Sequence, residues 1–305
     1  MDARFQTGQR ARPLDLDAGP VAVIVAVCLI WGLNQVAIKF TLPDVPPVMQ
    51  VAIRSAGGLA LVLAWAWGRR IPLLRPDGTL VPGLVCGLLF AAEFIVLFRA
   101  MLYTSAGRAS LFLYTAPFFV ALGARWLIPG ERMSRWQWLG LALCFAGIAA
   151  AVGLPQPNVD PSVVAGDIMA IAAGALWAST TLVIKATRLA VASPEKTLIY
   201  QLVVSVPVMA AASALFGEQV THAPGAVAVA WLAFQIAVVG FTFPIWFTFI
   251  QRYAATRVSA FTFLVPLFGV AAGCLLLGEP FTPAFGAAVA LVVGGLVLVN
   301  RRGYK

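Results

Sequence analysis

Arg108-Ala109-Ser110-Leu111-Phe112-Leu113-Tyr114-Thr115-Ala116-Pro117 returns in the second half of the chain as Arg257-Val258-Ser259-Ala260-Phe261-Thr262-Phe263-Leu264-Val265-Pro266. Arg, Ser, Phe and Pro coincide without a gap, and Tyr114 stands opposite Phe263. Backwards the register holds through Phe94/Phe243, Phe98/Phe247 and Ala106/Ala255. Forwards Phe119 meets Phe268, and after one residue of slippage Gly130-Glu131 meets Gly278-Glu279. A duplication of nearly half the chain is far longer than the roughly 20–50-residue unit of a solenoid.

The composition says which solvent the duplicated unit suits. Hydrophobic residues make up 61% of the chain and charged residues 11%, with a mean hydropathy of +0.92, whereas soluble domains carry roughly 25% charge. A 305-residue chain of this kind reads as a polytopic membrane protein. The formal charge of +9 does not point to nucleic acid, because no basic stripe interleaves with aromatics. Cys28, Cys86, Cys144 and Cys274 each fall alone inside an apolar run, without metal-ligand spacing or a disulfide framework. Residues 1–19 are a polar leader, and the apolar stretch after Pro20 has the length of a span rather than of a cleaved signal.

Apolar runs bounded by charge, Pro or Gly predict ten transmembrane helices, at 20–40, 47–67, 79–101, 106–128, 135–153, 164–185, 196–216, 226–250, 256–277 and 282–300. Each is long enough for a ~30 Å hydrocarbon core at about 1.5 Å per residue, and lipid demands helices that satisfy their own backbone. The fold class is therefore all-α. Arg4, Arg10, Arg12, Arg69, Arg70, Arg75, Arg125, Arg132, Arg135, Lys185, Arg188, Lys196, Arg252, Arg257, Arg301, Arg302 and Lys305 fall on one side, which makes both termini cytoplasmic. A Pro-rich periplasmic connector, 154–163, divides a first repeat (20–153) from a second (164–300), and 301–305 is a short cytoplasmic tail. Five spans per half is odd, so the halves enter the membrane in opposite senses. That inverted-topology repeat places a site between the halves near the midplane. The short joins at 101–106 and 250–256 predict tight hairpins, and Gly83/Gly87 and Gly269/Gly273 are candidate seams for close helix contact.

Charge within a span costs about 2.5–3.5 kcal/mol on the insertion scale, so Arg54 and Glu93 are the first candidates for substrate binding. Both lie about 12 Å below the outer ends of spans 2 and 3, deep enough to pair. Either they recognise a substrate carboxylate or ammonium, or Glu93 is a protonatable group that couples transport, or they form a structural ion pair, or Arg54 snorkels to the interface. Trp31, Asn34, Tyr114, Trp177, Tyr200 and Trp246 join them as cavity-lining candidates, with Gln201, Gln235 and Thr242 nearby. A lone aromatic at such depth ordinarily packs on lipid or a neighbouring helix. What raises these is their company of Asn, Gln and Thr, which face lipid at a cost. Pro117 and Pro266 interrupt spans 4 and 9 at matching places and, with Phe112 and Phe261, are the candidate hinges or gates. Arg108, Arg257, Glu131 and Glu279 are terminal, as caps or gate contacts. No P-loop, His-Glu-x-x-His, Gly-x-Ser-x-Gly or dinucleotide fingerprint is present, so no enzyme activity, metal or cofactor is expected.

Together Trp31-Gly32-Leu33-Asn34, Ala106 to Pro117 with Gly130-Glu131, Gly166-Asp167 with Trp177, and Ala255-Thr256-Arg257-Val258-Ser259 to Pro266 with Gly278-Glu279 resemble the EamA-type drug/metabolite transporters. The first-half block, Ala106-Gly107-Arg108-Ala109-Ser110, departs from that pattern where the family usually has Thr and Val, at Gly107 and Ala109. The resemblance implies ten helices around a central cavity in a bacterial inner membrane. It also implies export of amino acids or similar metabolites; aromatic amino acid exporters are one such group. Its partners would be a small-molecule substrate and the lipid bilayer. An exporter of lipophilic cations using Glu93, and a channel or membrane scaffold, stay open as alternatives. The two copies of the repeated block then read as moving walls, with selectivity left to spans 1, 2, 3, 6 and 7.

Overall fold

A computed structural model describes residues 16–104, 106–152, 160–277 and 283–301. Within them every element is helical: α1 (Ala18–Thr41), α2 (Pro47–Gly68), α3 (Leu80–Ala100), α4 (Ala106–Leu113), α5 (Ala116–Leu127), α6 (Arg135–Val152), α7 (Pro161–Ala186), α8 (Pro194–Leu215), α9 (Ala226–Arg252), α10 (Ala255–Ala260), α11 (Leu264–Leu277) and α12 (Pro283–Asn300), with 3-10 turns at Arg188–Val191 and Phe261–Phe263. Eight segments are long and apolar enough to cross a membrane: α1, α2, α3, the run Arg108–Leu127, α7, α8, α9 and the run Ala255–Leu276. Leu29, Leu88, Ile168 and Leu275 are among the large apolar side chains left on the outside, and Trp67 and Trp126 are exposed at segment ends, where indoles belong at a lipid–water interface. This is a multi-pass membrane protein.

Helix starts are written locally or supplied from afar. Asp160 and Ser193 cap α7 and α8 by accepting from the amides of Ser162 and Lys196, each followed by a Pro at the first helical position. α2 opens on Pro46-Pro47 without a cap of its own, and Glu218 from the loop after α8 accepts from the amides of Val48 and Met49. The two copies of the repeated block both break. α4 stops at Leu113 and α5 resumes at Ala116; α10 passes through a 3-10 turn before α11 starts at Leu264. In each copy the proline sits at the second or third residue of the resumed helix, where its missing N–H costs no intrahelical bond. The expected interruptions are therefore present, as breaks just upstream of Pro117 and Pro266.

The halves interleave. α3 packs on α7 and α8, α1 on α9 and α11, α2 on α8 and α9, α5 on α7, and α6 lies along α12. Consecutive segments touch little. Residues 101–104 turn after α3 and the join expected at 250–256 is tight, but α4 leaves α3 to pack on α7 and α10 leaves α9 to pack on α5. Glycine makes the close approaches: a Cβ on Gly83 or Gly87 would strike Tyr200 or Val204 of α8, and one on Gly32 would strike Phe268 and the backbone of Gly269. The seam from Gly83 and Gly87 is thus a real contact with α8. At Gly269 the neighbours stand at ordinary distance, and Gly32 is the residue that must be small. The second Gly-Glu pair, Gly278-Glu279, falls outside the described residues, as do most of the connector, the start of the leader and residues 302–305.

Candidate functional site

Between α1, α2, α3, α7, α8 and α9 lies a cavity of about 390 Å³, within the size range of small-molecule sites. Helices from both sides of the connector wall it, with Leu113 and Tyr114 at the α4 break and Val265 of α11. Its rim at one end is made by Leu42, Met101 and Leu102, all exposed; at the other end Ile184 and Ile250 are fully buried. The cavity is open where α1 and α3 end, and shut where α7 and α9 end.

Seven of the eight expected binding residues come together here: Trp31, Asn34, Arg54, Glu93, Tyr114, Trp177 and Trp246. Trp31 is fixed by its indole N–H donating to Thr242 Oγ1 at 2.8 Å, and its ring meets Phe243 and Trp246 at 5.4 and 5.0 Å. Tyr114 and Trp177 stand edge to face at 5.9 Å, in the range favoured by aromatic pairs. Arg54 and Glu93 are each only 6% exposed and line the same wall, yet no ion pair within 4 Å joins them among the described residues. The guanidinium instead lies over the Phe94 ring, 4.8 Å from its centroid. Arg54 Nε and Asn34 Oδ1 are buried without a hydrogen-bond partner. Each such atom costs about 1–3 kcal/mol unless something meets it. Two of them belong to residues on one cavity wall.

Tyr200 lies elsewhere. Its ring packs on Gly83 and its hydroxyl is 3.1 Å from Thr79 Oγ1, so it serves the α3–α8 contact. Its neighbour Gln201 faces the cavity in its place, with Gln35, Phe90, Phe94 and Phe243. Phe94 and Phe243 had a signal, since they coincide in the register of the repeat; Gln35 and Phe90 had none. Phe112 and Phe261 lie off the cavity: Phe112 packs with Leu97 and Ala170, and the Phe261 carbonyl accepts from Cys28 Sγ at 3.3 Å. Pro117 borders a smaller hollow beneath Trp177 and Trp246.

The shut end is held by a polar cluster. Gly130 takes a positive φ of 85° and turns Glu131 inward. The Glu131 carboxylate accepts from the amides of Ala255 and Thr256, at 3.1 and 3.3 Å, and lies 3.9 Å from Lys185 Nζ. Glu131 was expected at the start of its own following span; it caps α10 instead. Burial pushes its carboxyl above the usual range, against the pull of those amides and of Lys185. Lys185 also donates to the carbonyls of Gln251 and Tyr253, and the Gln251 amide donates to those of Leu189 and Ala192. Lys196 holds Asp77 at 2.8 Å on the same end. Burial works against ionisation of Asp77, but the bonds from Lys196 and Thr79 outweigh it and bring its carboxyl down to about 2. At the open end Arg108 pairs with Asp167, which also accepts from Thr104 Oγ1 at 2.9 Å. These contacts give Arg108 and the Gly166-Asp167 pair a structural reason.

Comparison with known proteins agrees with this architecture. The EamA-like transporter family model matches residues 19–153 and again 164–301. A probable amino-acid metabolite efflux pump of Escherichia coli is 30% identical over 295 residues, covering 92% of this chain and 93% of its own. One of the same description from Salmonella typhimurium is 29% identical, covering 94% and 95%. A crystal structure superposes with a TM-score of 0.80 at 23% identity over 93% of this chain and 96% of its own, a likeness of fold. With the family model matching nearly the whole chain in two stretches, this protein belongs to the EamA-like transporter family.

Proposed function

We propose that the protein is a secondary transporter that exports small metabolites, amino acids and among them aromatic ones, by alternating access. The observation that carries this is the cavity: aromatic walls from both halves, buried polar atoms with nothing to bond, and one end closed by the Glu131–Lys185 cluster. The names of the relatives, amino-acid metabolite efflux pumps, point to the same substrate class.

The architecture is ten spans in two inverted repeats, 20–153 and 164–300. Besides the eight long segments, α6 has 18 residues, about 27 Å at 1.5 Å each, and α12 packs along it. Exchange of the halves (α1 with α7, α2 with α8, α3 with α9, α4–α5 with α10–α11, α6 with α12) turns the α3–α7 contact into α9–α1, α3–α8 into α9–α2, and α1–α11 into α7–α5. Each of these exists. That pattern, the paired breaks and the two family matches support a two-fold relation between the halves. With both termini on the cytoplasmic side of a bacterial plasma membrane, the open rim faces outward and the Glu131–Lys185 cluster is the inner gate. The breaks before Pro117 and Pro266 are the hinges about which it would open.

An exporter of lipophilic cations would also want a buried carboxylate, but Arg54 shares the wall with Glu93 and repels such a ligand. The test is flux from proteoliposomes across a panel of amino acids and lipophilic cations, with and without a pH gradient. Flux of amino acids alone is expected; flux of cations alone would contradict the proposal.

A further inference from the structure

Arg54, Glu93 and Asn34 stand at one depth. Each is seven residues from the open-end terminus of its helix (47 to 54, 93 to 100, 34 to 41), about 10 Å down at 1.5 Å per residue. All three line the cavity, and Arg54 Nε and Asn34 Oδ1 lack partners. From this tier an unbroken line of rings runs inward. Phe94, under the guanidinium, touches Phe90 at 4.9 Å; Phe90 touches Phe243 at 6.1 Å; Phe243 leads to Trp31, and Trp31 to Trp246. Trp246 is six residues from the shut-end terminus of α9 (246 to 252). The cavity therefore has a charged tier near its mouth and an aromatic floor.

We propose that this tier is a subsite for the head group of a zwitterion: Arg54 takes the carboxylate and Glu93, with Asn34 Oδ1, the ammonium of an α-amino acid whose apolar side chain points inward to Trp31 and Trp246. The assignment rests on the transporter reading above and adds to it the ligand's charge and its direction. Arg54 and Glu93 line one cavity with no ion pair within 4 Å between them, which leaves room for a ligand's two ionic groups to be set against both. A ligand with only an amine would satisfy Glu93 and leave Arg54 alone; one with only a carboxylate would do the reverse. A zwitterion satisfies both. The planar guanidinium, with its Cζ 4.8 Å from the Phe94 centroid, suits a carboxylate met by two parallel N–H donors. The sequential rings then offer apolar contact to a side chain whose size the floor limits.

Equilibrium binding of L-phenylalanine, 3-phenylpropionate and 2-phenylethylamine to the full-length protein in nanodiscs tests this, with Arg54→Gln and Glu93→Gln beside the wild type. The wild type should bind phenylalanine at least about ten-fold more tightly than either truncated ligand, as expected for losing one charge-assisted contact. Arg54→Gln should lose about ten-fold for phenylalanine and phenylpropionate while keeping phenylethylamine. Glu93→Gln should lose phenylalanine and phenylethylamine while keeping phenylpropionate. Should either variant fail to fold, Arg54→Lys and Glu93→Asp carry the test, and each must still rank phenylalanine first. Equal losses for all three ligands, or a wild type that does not rank them, would overturn the subsite and leave the transporter reading standing. A wild type that binds no amino acid while it carries other solutes in vesicles would overturn the amino-acid reading and the subsite with it.

Discussion

Removing the Glu131 carboxylate should unlock the shut end of the cavity. In the described conformation it accepts two backbone N–H bonds from the start of α10 and faces Lys185. Burial offsets the extra strength of a charged acceptor at this site, and an ordinary hydrogen bond contributes about 0.5–1.5 kcal/mol, so Glu131→Ala forfeits up to about 3 kcal/mol. If those contacts exist only when the end is shut, the equilibrium moves by up to about a hundred-fold toward opening, at about 1.4 kcal/mol per decade. Lys185 keeps its two carbonyl partners, so the shut form is weakened rather than abolished. The readout is a single cysteine at Ile250, fully buried on the cavity wall, in a chain whose four buried native cysteines are replaced. In sealed inside-out vesicles an impermeant maleimide should label Ile250→Cys about ten- to a hundred-fold faster when Glu131 is Ala, and by less when it is Gln. An unchanged rate in protein that still folds would refute the role given to Glu131.

The same residue sets a pH dependence. Its raised pKa means the shut form binds a proton more readily than a form in which Glu131 is solvated. Acid therefore favours the shut end, and that preference declines as pH rises from the ordinary carboxylate value of about 4.3 through the raised one; maleimide labelling of Ile250→Cys should rise over that window more steeply than the thiolate fraction alone requires, and Glu131→Gln should remove that excess. Gly32→Leu should destabilise by about 1–3 kcal/mol or more, read as a lower Tm in detergent, because a Cβ there meets the backbone of Gly269 within 3 Å; Gly286→Ala, with open space around it, should cost nothing. Asp167→Ala removes the carboxylate that pairs with Arg108 and accepts from Thr104, and should cost about 3 kcal/mol, read as a lower Tm in detergent.

Much of this was legible in the residues alone. Hydropathy located the helices to within a few residues, because in lipid a long apolar run has no other way to pair its backbone. The coincidence of Pro117 with Pro266 announced the two breaks, and charge at depth pointed to Arg54 and Glu93. Packing partners were not legible. Nothing local in α3 says that it lies on α7 and α8 rather than on α4, since apolar faces against lipid and against protein look alike. Tyr200 and Gln201 show the consequence: adjacent polar positions on one helix, of which the tyrosine fills the space over Gly83 and the glutamine faces the cavity. Glu131 read as a cap for the nearest helix because its true partner, Thr256, is distant in sequence.

The central claim is that the cavity carries amino acids between the two sides of a membrane by exchange of its open and shut ends. Counterflow in proteoliposomes measures this directly: vesicles are loaded with unlabelled L-phenylalanine and diluted into a trace of the labelled compound. The structure predicts transient accumulation of label inside, abolished by unlabelled amino acid outside and reduced at least about ten-fold by Trp177→Ala or Asn34→Ala, which remove cavity wall. Label that merely equilibrates for every amino acid tested, with wild type and variants alike, would contradict it.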